Sequence, residues 1–366
     1  MKSSKGECMK ISKWQFHPCG NYRERYEQEL SIFETDFGRL CLVIGILALF
    51  GIVPWIFSPY MIYVFNTIGI AAIAVIGLNI LIGFTGQISL GHGAFFGVGA
   101  YAAAILATTL NCPFYLSIPA AAVITAMVGM VFGTPSVRLK GLYLTIATLA
   151  GQFIIEYILL RWESLTKGTM GMILPKPAIA GWELSGDRAF FFIIFACLIL
   201  MAWIAVNLIR TKYGRAFIAI RDNDRAAEGM GIPIFRYKLL AFGISSFYAG
   251  FAGALYAYYS VSITTEPFTL SLSVEYIAMV IIGGMGNITG SIFGAIFITG
   301  LNEILRWLTE LLMNMGVVSG SGLNMAPLRE FTFGLAIVLF IIFEPRGLAE
   351  VWRIVRSSFR LWPFSY

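Results

Sequence analysis

Several ionisable side chains in this sequence interrupt apolar stretches and could therefore do chemistry. They are Glu156, Glu275 and the neighbours Glu303 and Arg306. A charge at membrane depth is energetically costly, so such residues commonly mark an ion path or an internal ion pair. Glu303 and Arg306 are three residues apart, a spacing at which they can pair on one helix. Glu156 has no such partner on its own helix and is a candidate for a transport path or gate.

Two glycine-rich polar breaks form a second group. One reads GFTGQISLGHG, from Gly83 to Gly93, and the other reads GGMGNITGSIFG, from Gly283 to Gly294. The first contains Gly-Gln-Ile-Ser and the second Gly-Asn-Ile-Thr, and paired glycine interruptions point to a transport path in membrane proteins. The same glycines could instead let helices pack closely, and both roles can hold together. With Glu156, the candidates for lining or gating the path are Gly86, Gln87, Ser89, Gly91, His92, Gly286, Asn287 and Thr289.

No motif for nucleotide, metal or covalent chemistry accompanies these residues. The sequence has neither a GxxxxGK[S/T] phosphate-binding loop nor a dinucleotide fingerprint after a strand. Its five cysteines are scattered and include no CxxC, so neither a disulfide framework nor a zinc site is indicated. His92 fits a hydrogen-bonded packing residue better than a proton relay. We therefore expect a protein that is not an enzyme and that holds no cofactor or metal.

The elements that must position these residues are helices that cross a membrane. Hydrophobic residues make up 58% of the 366 residues and charged residues only 13%, against about 25% charged in ordinary soluble domains. Apolar runs of about 20 residues recur along the chain, and each is long enough to cross the hydrocarbon core. The sequence predicts an all-α polytopic membrane protein with about ten transmembrane helices. The predicted spans are Leu40–Phe57, Met61–Ile82, Ala94–Leu110, Leu116–Phe132, Leu142–Leu160, Ala189–Ile209, Leu239–Tyr259, Leu272–Met285, Ile288–Leu308 and Leu328–Phe343.

The distribution of lysine and arginine predicts the orientation of these spans. An even number places both termini on one side, and the basic residues concentrate before the first span, after the sixth and after the tenth. Positively charged loops stay in the cytoplasm, so both termini are expected there. This predicts a cytoplasmic extension at 1–39, a transmembrane domain at 40–345 with a cytoplasmic loop at 210–236, and a cytoplasmic tail at 346–366. The topology accounts for the net charge of +6, so lipid is an expected partner and nucleic acid is not.

The cytoplasmic loop contains a short predicted helix in the stretch RDNDRAAEGMGIP, which ends at Pro233. Asp222 or Asn223 is a suitable N-cap, and Gly231 can end the helix. A helix of about eight residues is unstable alone in water, so it must lean on the membrane surface or on another protein. Its small contact side would be formed by Ala226, Ala227 and Met230.

This stretch resembles the cytoplasmic loop of the permease subunits of branched-chain amino acid ABC importers, where a short helix seats on the ATPase. Three further segments resemble the same family: GLNILIGFTGQISLGHGAFFGVGAYAAA, GLYLTIATLAGQFI and EYIAMVIIGGMGNITGSIFGAIFI. The matches keep their order from about Leu40 to Arg346, and the sequence looks like the longer of the family's two permease types. Glu228 follows the alanines, which departs from the general pattern of other importers. The resemblance implies ATPase coupling by Arg221, Asp222, Asn223, Asp224, Ala226, Ala227, Glu228, Gly229 and Gly231.

The resemblance also implies a function. A permease subunit of this kind sits in the bacterial inner membrane and translocates branched-chain or similar amino acids. Two separate ABC ATPase subunits would bind the ATP and magnesium, a sister permease would complete the path, and an extracytoplasmic binding protein would deliver the substrate. Close relatives that move urea or short amides are an alternative that the sequence does not separate. The rival class is an ion-coupled secondary transporter that uses Glu156, Glu275 or His92.

Overall fold

The computed structural model describes residues 49–136, 141–179, 182–183, 186–314 and 347–361, with isolated positions at 40, 44–45, 47, 331, 334–335, 338–339 and 342. The chain divides into two units, Met1–Ser58 with Arg356–Tyr366, and Pro59–Val355. Among its described residues the first unit contains the short helix α1, Val53–Ile56, and the end of the last helix. The second unit contains the residues that could do chemistry.

The second unit is built almost entirely from helices. They are α2 Pro59–Asn79, α3 His92–Thr109, α4 Phe114–Ser136, α5 Leu142–Arg161, α6 Glu163–Thr166, α7 Asp187–Arg210, α8 Lys212–Asp222, α9 Asp224–Gly229, α10 Ile234–Ser260, α11 Leu270–Gly283, α12 Ile288–Asn314 and the first part of α13, Leu348–Leu361, which continues past the end of this unit at Val355. A π-helical turn, Ile80–Phe84, extends α2, and a 3-10 turn, Gly168–Met170, follows α6. The described part of the unit also contains four two-residue strands: β1 Met172–Ile173, β2 Ala178–Ile179, β3 Trp182–Glu183 and β4 Ser262–Ile263.

The predicted class, an all-α polytopic membrane protein, is confirmed. Among the described residues, seven helices are long and apolar enough to cross a membrane: α2 with its π turn, α3, α4, α5, α7, α10 and α12. The predicted eighth span is α11, whose 14 residues rise only about 21 Å, less than the hydrocarbon core of about 30 Å. The predicted tenth span falls largely outside the described residues, as does the extension at 1–39, and the predicted first span is described only in part. The predicted number of ten spans is therefore not confirmed.

The core of the unit forms around α2 and α10. Helix α10 packs against α2, α3 and α4, while α2 also packs against α7 and α12, and α11 pairs with α12. Small residues make these approaches possible, because a Cβ atom at Gly99 of α3 would lie 2.3 Å from the Cα of Gly250 in α10. Gly129 and Gly133 of α4 likewise face side chains of α10 closely. Glycines at these positions therefore let the helices pack closely.

Loop contacts identify the two ends of the bundle. Strand β1 pairs antiparallel with β4, with Met172 opposite Ile263, so the loops after α5 and α10 meet at one end. Strands β2 and β3 pair within the first of these loops. At the other end, the π turn of α2 contacts both α8 and the turn between α11 and α12. The predicted topology likewise groups these two sets of loops on opposite sides of a membrane.

Candidate functional site

Helix α9 is short but is closed at both ends by local hydrogen bonds. The Asn223 side chain accepts from the backbone N–H groups of Arg225 and Ala226 at 3.1 and 3.2 Å, which makes Asn223 the N-cap. At the other end Gly231 takes a positive φ of 82°, and its N–H donates to the carbonyl of Glu228 at 2.9 Å. The backbone N–H of Ile232 donates to the carbonyl of Ala227 at 3.1 Å, and the two bonds together form a Schellman motif. The predicted N-cap and terminating glycine are both confirmed, for a helix of six residues.

The surface of α9 divides into an exposed side and one buried residue. Ala227 is only 2% exposed and packs into the chain itself, while Ala226 is exposed and Met230, just past the helix, is 82% exposed. Of the three residues in the predicted contact side, Ala226 and Met230 are available to a partner, whereas Ala227 is buried and holds the helix against the rest of the chain. Six further coupling candidates are exposed: Arg221, Asp222, Asn223, Glu228, Gly229 and Gly231.

Helix α8 precedes α9 and has no counterpart among the predicted elements. Thr211 is its N-cap and accepts from the N–H of Tyr213. Its apolar side chains Ala216, Phe217 and Ile220 are buried, at the three-to-four-residue spacing of a helix that packs on one face. Helix α8 packs against α7 and α10, so it fixes the position of α9 relative to the membrane helices.

A partly buried ion pair joins α9 to α10. The Nζ atom of Lys238 lies 3.1 Å from Oδ2 of Asp224, the first residue of α9. Lys238 is 7% exposed, and a lysine buried to that degree needs an opposite charge beside it. The carboxylate of Asp224 supplies that charge, so removal of this carboxylate would leave Lys238 poorly compensated.

Asn79, the last residue of α2, joins the two glycine-rich breaks. Its Nδ2 donates to the carbonyl of Asn287 at 2.8 Å and to Oγ of Ser291 at 2.7 Å, while its Oδ1 accepts from the N–H of Gly286 at 2.9 Å. A Cβ atom at Gly83 would lie 2.2 Å from the nitrogen of Gly286, so the two breaks touch backbone to backbone. We name this contact of the π turn with the turn after α11 the glycine junction.

A second polar cluster supports the start of α3. The N–H groups of Gly93 and Ala94 donate to Oγ of Ser273 at 2.8 Å and to Oε1 of Gln152 at 2.7 Å. Gln152 also donates from Nε2 to the carbonyl of Phe268 at 2.9 Å. The first N–H groups of a helix have no partner within it, and here side chains from α5 and α11 satisfy them.

The predicted path residues of the first break are mostly buried and hydrogen-bonded. Gln87 is 2% exposed and donates to Oγ1 of Thr85, and Ser89 is 1% exposed and accepts from the N–H of Gly91. His92 is 1% exposed, its Nε2 lies 2.9 Å from the carbonyl oxygen of Ala74, and its ring meets Tyr276 edge to face. These contacts favour the prediction of a hydrogen-bonded packing histidine.

The remaining path candidates lie at the end of the bundle. Gly86, Asn287 and Thr289 are exposed, and Gly286 is half-buried. The Asn287 side chain accepts from both the N–H and the hydroxyl of Thr289, at 3.0 and 2.7 Å, and so caps α12. Asn287 and Thr289 therefore have a local structural role, whereas Gly86 and Gly286 lie at the glycine junction.

The carboxylates of the apolar stretches have different surroundings. Glu275 accepts a hydrogen bond from the side chain of Asn302 at 3.0 Å. The two members of the predicted pair both contact Tyr60: Glu303 accepts a hydrogen bond from its hydroxyl, and the guanidinium of Arg306 lies over its ring. Glu156 is half-buried one turn beyond Gln152, and among the described residues its Oε2 is buried without a hydrogen-bond partner.

No group of three or more His, Cys, Asp or Glu residues gathers within the described part of the chain. Cys8, His17 and Cys19, which the sequence favours as part of a tail rather than a metal site, lie outside it.

Three polar residues of these clusters were missed by sequence reasoning: Asn79, Gln152 and Ser273. Each lies inside a predicted apolar span and is fully buried. A buried amide or hydroxyl must find a partner, so a polar residue inside an apolar span is a signal for a contact between helices.

Comparison with known proteins identifies the family of this chain. Residues 60–342 match the family described as "Branched-chain amino acid transport system / permease component". The high-affinity branched-chain amino acid transport system permease protein LivM of Salmonella typhimurium is 32% identical over 302 residues, which cover 76% of this chain and 67% of the relative. LivM of Escherichia coli is 31% identical over 318 residues, 79% of this chain and 71% of the relative.

A more distant similarity extends to another transport system. The autoinducer 2 import system permease protein LsrC of Shigella flexneri is 27% identical over 212 residues, 56% of this chain and 60% of the relative. No solved structure matches the chain.

Proposed function

Because this chain belongs to the family of permease components of branched-chain amino acid transport systems, we propose that it is a membrane-spanning subunit of an ABC importer. It translocates branched-chain or similar amino acids inward, and separate ATPase subunits supply the energy. The observation that carries the proposal is the exposed helix α9, which is capped at both ends and attached to the membrane helices by Arg221 and by the Asp224–Lys238 pair.

The exposed side of α9 is suited to dock into a groove of an ATPase subunit. Ala226 is small, Met230 is a flexible apolar side chain at 82% exposure, and Arg225 and Glu228 supply charges at the rim. An external motor is needed because the sequence contains no phosphate-binding loop of its own. Two such ATPase subunits would bind ATP and magnesium, and this chain would hold neither.

The remaining partners follow from the two ends of the bundle. Seven basic residues lie between Arg210 and Lys238, so the positive-inside rule favours a cytoplasmic position for the end that carries α8 and α9, with both termini on that side of a bacterial inner membrane. The opposite end, with the β1–β4 and β2–β3 pairs, would face an extracytoplasmic binding protein. A sister permease and lipid would cover the exposed apolar faces of the helices.

The substrate is proposed from the relatives with higher identity, which are named for branched-chain amino acid transport. LsrC is named for import of autoinducer 2, so this architecture serves chemically different solutes. Urea or a short amide is the alternative substrate, because a binding protein rather than the permease would select the solute.

Reconstitution tests the proposal directly. We expect proteoliposomes that contain this chain, its sister permease and the two ATPase subunits to import labelled leucine, isoleucine or valine when ATP and the binding protein are supplied. Labelled urea and acetamide measured in parallel decide the substrate class. The control carries an ATPase subunit whose phosphate-binding lysine is replaced, and it should show no import.

The rival function, an ion-coupled secondary transporter, has one observation in its favour, the buried Oε2 of Glu156 without a hydrogen-bond partner among the described residues. Uphill import by this chain alone, driven by a proton or sodium gradient, would establish the rival and disprove the dependence on ATPases.

A further inference from the structure

Arg221 lies in the last turn of α8, just before α9, and although 40% of its side chain is exposed, its guanidinium group also contacts the membrane domain. Its Nη1 donates to the carbonyl of Gly83 at 2.9 Å. Its Nε and Nη2 each lie 3.1 Å from Oδ1 of Asp222, so the neighbouring carboxylate holds the guanidinium in this orientation. The bond to Gly83 is charge-assisted, a class that is roughly twice as strong as a bond between neutral groups.

Both glycine-rich breaks contact this one side chain. A Cβ atom at Gly86 would lie 3.2 Å from Cγ of Arg221, and a Cβ atom at Gly286 would lie 3.3 Å from its Nη1. Gly86 and Gly286 have similar positive φ values, 70° and 78°. Arg221 therefore lies between two backbone turns of like conformation, one after α2 and the other between α11 and α12.

The Asp224–Lys238 pair completes a two-point attachment of α9. Arg221 and Asp224 are three residues apart and flank the N-cap Asn223, and they attach to different parts of the bundle. A displacement of α9 must therefore either carry the glycine junction and α10 with it or break one of these two attachments.

We propose that Arg221 is a positioning residue that transmits movement of α9 to both glycine turns, and that it is not a contact for the ATPase. This inference rests on the proposed function, since it concerns how docking at α9 reaches the path. It reassigns Arg221 from the docking residues that the family resemblance implies to the link between docking and the membrane helices. Loss of Arg221 should therefore lower the amount of substrate transported per ATP hydrolysed. The affinity for the ATPase subunits depends instead on the exposed side of α9.

Replacement of Arg221 in the reconstituted complex tests this role. Arg221→Ala is expected to retain the ATPase subunits at the wild-type ratio in co-purification and to leave ATP hydrolysis near the wild-type rate. Uptake per ATP hydrolysed should fall on the order of tenfold, within the range typical of coupling between linked sites. Arg221→Lys, which keeps a cation able to reach the Gly83 carbonyl, should restore much of that ratio. Arg236→Ala, which removes an exposed arginine from the first turn of α10, is the matched control and should match the wild type.

Two results would overturn the inference: wild-type uptake per ATP in Arg221→Ala, or loss of the ATPase subunits in proportion to the loss of uptake. If Arg221→Ala does not insert, Arg221→Met replaces it as an uncharged, flexible side chain that cannot donate to the carbonyl of Gly83. A wild-type ratio in that variant overturns the inference, and a reduced ratio with retained ATPase supports it. Failure of the proposed function is seen separately in the wild-type complex, as absence of ATP-driven uptake, and it would overturn this inference as well.

Discussion

Replacement of Asn79 by alanine should destabilise the protein more than the same change at any comparably buried asparagine with fewer bonds. Asn79 is fully buried and makes three hydrogen bonds of 2.7–2.9 Å, two as donor and one as acceptor. Asn66 provides the matched control, because it lies on the same helix, is also fully buried, and donates one hydrogen bond of 2.9 Å, to the carbonyl of Asp187.

The magnitude follows from the number of bonds lost. Hydrogen bonds between membrane helices average about 0.6 kcal/mol, and a typical intramolecular bond in a protein contributes up to about 1.5 kcal/mol. Three bonds at Asn79 therefore correspond to roughly 2–4 kcal/mol, and the single bond at Asn66 to about 1 kcal/mol. Asn79→Ala also leaves the N–H of Gly286 without its acceptor, which places the expected loss toward the upper end of the first range.

The measurement is the free energy of unfolding of each purified variant in mixed micelles, from denaturant titration followed by circular dichroism. We expect Asn79→Ala to lower that free energy by at least 1 kcal/mol more than Asn66→Ala, about a factor of 5 in the unfolding equilibrium. Equal losses in the two variants would refute the reasoning, because the glycine junction would then add nothing to the stability of the fold.

Three further predictions concern the coupling helix and the membrane carboxylate. Ala226→Arg should abolish co-purification of the ATPase subunits while membrane insertion stays normal, and unaffected co-purification would disprove docking at the exposed side of α9. Ala227→Arg should instead lower the melting temperature, because that position is buried. Glu156→Gln should change the transport rate or the basal ATPase activity without a change in folding, and unchanged values of both would leave Glu156 as a packing residue. Lys238→Met combined with Asp224→Asn should destabilise less than the sum of the single changes, as measured by a double-mutant cycle of melting temperatures, and strict additivity would contradict the buried pair.

Much of the fold was predictable because hydrophobic length determines helices in a membrane. The predicted spans from Met61 to Tyr259 correspond to observed helices whose ends differ by a few residues, since an apolar run specifies a crossing but not where a helix ends. The short α11 was predicted with the same length of 14 residues, at Leu272–Met285, whereas the observed helix runs from Leu270 to Gly283. Helix α8 was missed, because its buried residues Ala216, Phe217 and Ile220 lie in an apolar run of only five residues, 216–220, which is too short to indicate a helix.

The candidate site was less predictable, because its contacts join residues far apart in the chain. The caps of α9 follow from local sequence, and Asn223 and Gly231 were identified for that reason. The inward orientation of Arg221 depends on the packing of α8 against α7 and α10, which no motif in the loop encodes. The link from Asn79 to Gly286 spans 207 residues, so only the folded structure brings them together.

The closed ends of α9 have a consequence for the thermodynamics of association. A segment that folds upon binding must lose chain entropy at that moment, which weakens its affinity. Helix α9 is already folded and capped within its own chain, so this entropy has been lost before a docking partner binds. The enthalpy and heat-capacity changes of binding at α9 should therefore reflect only the surface that the partner covers, with no contribution from folding of the helix. The binding kinetics should likewise show no slow folding phase.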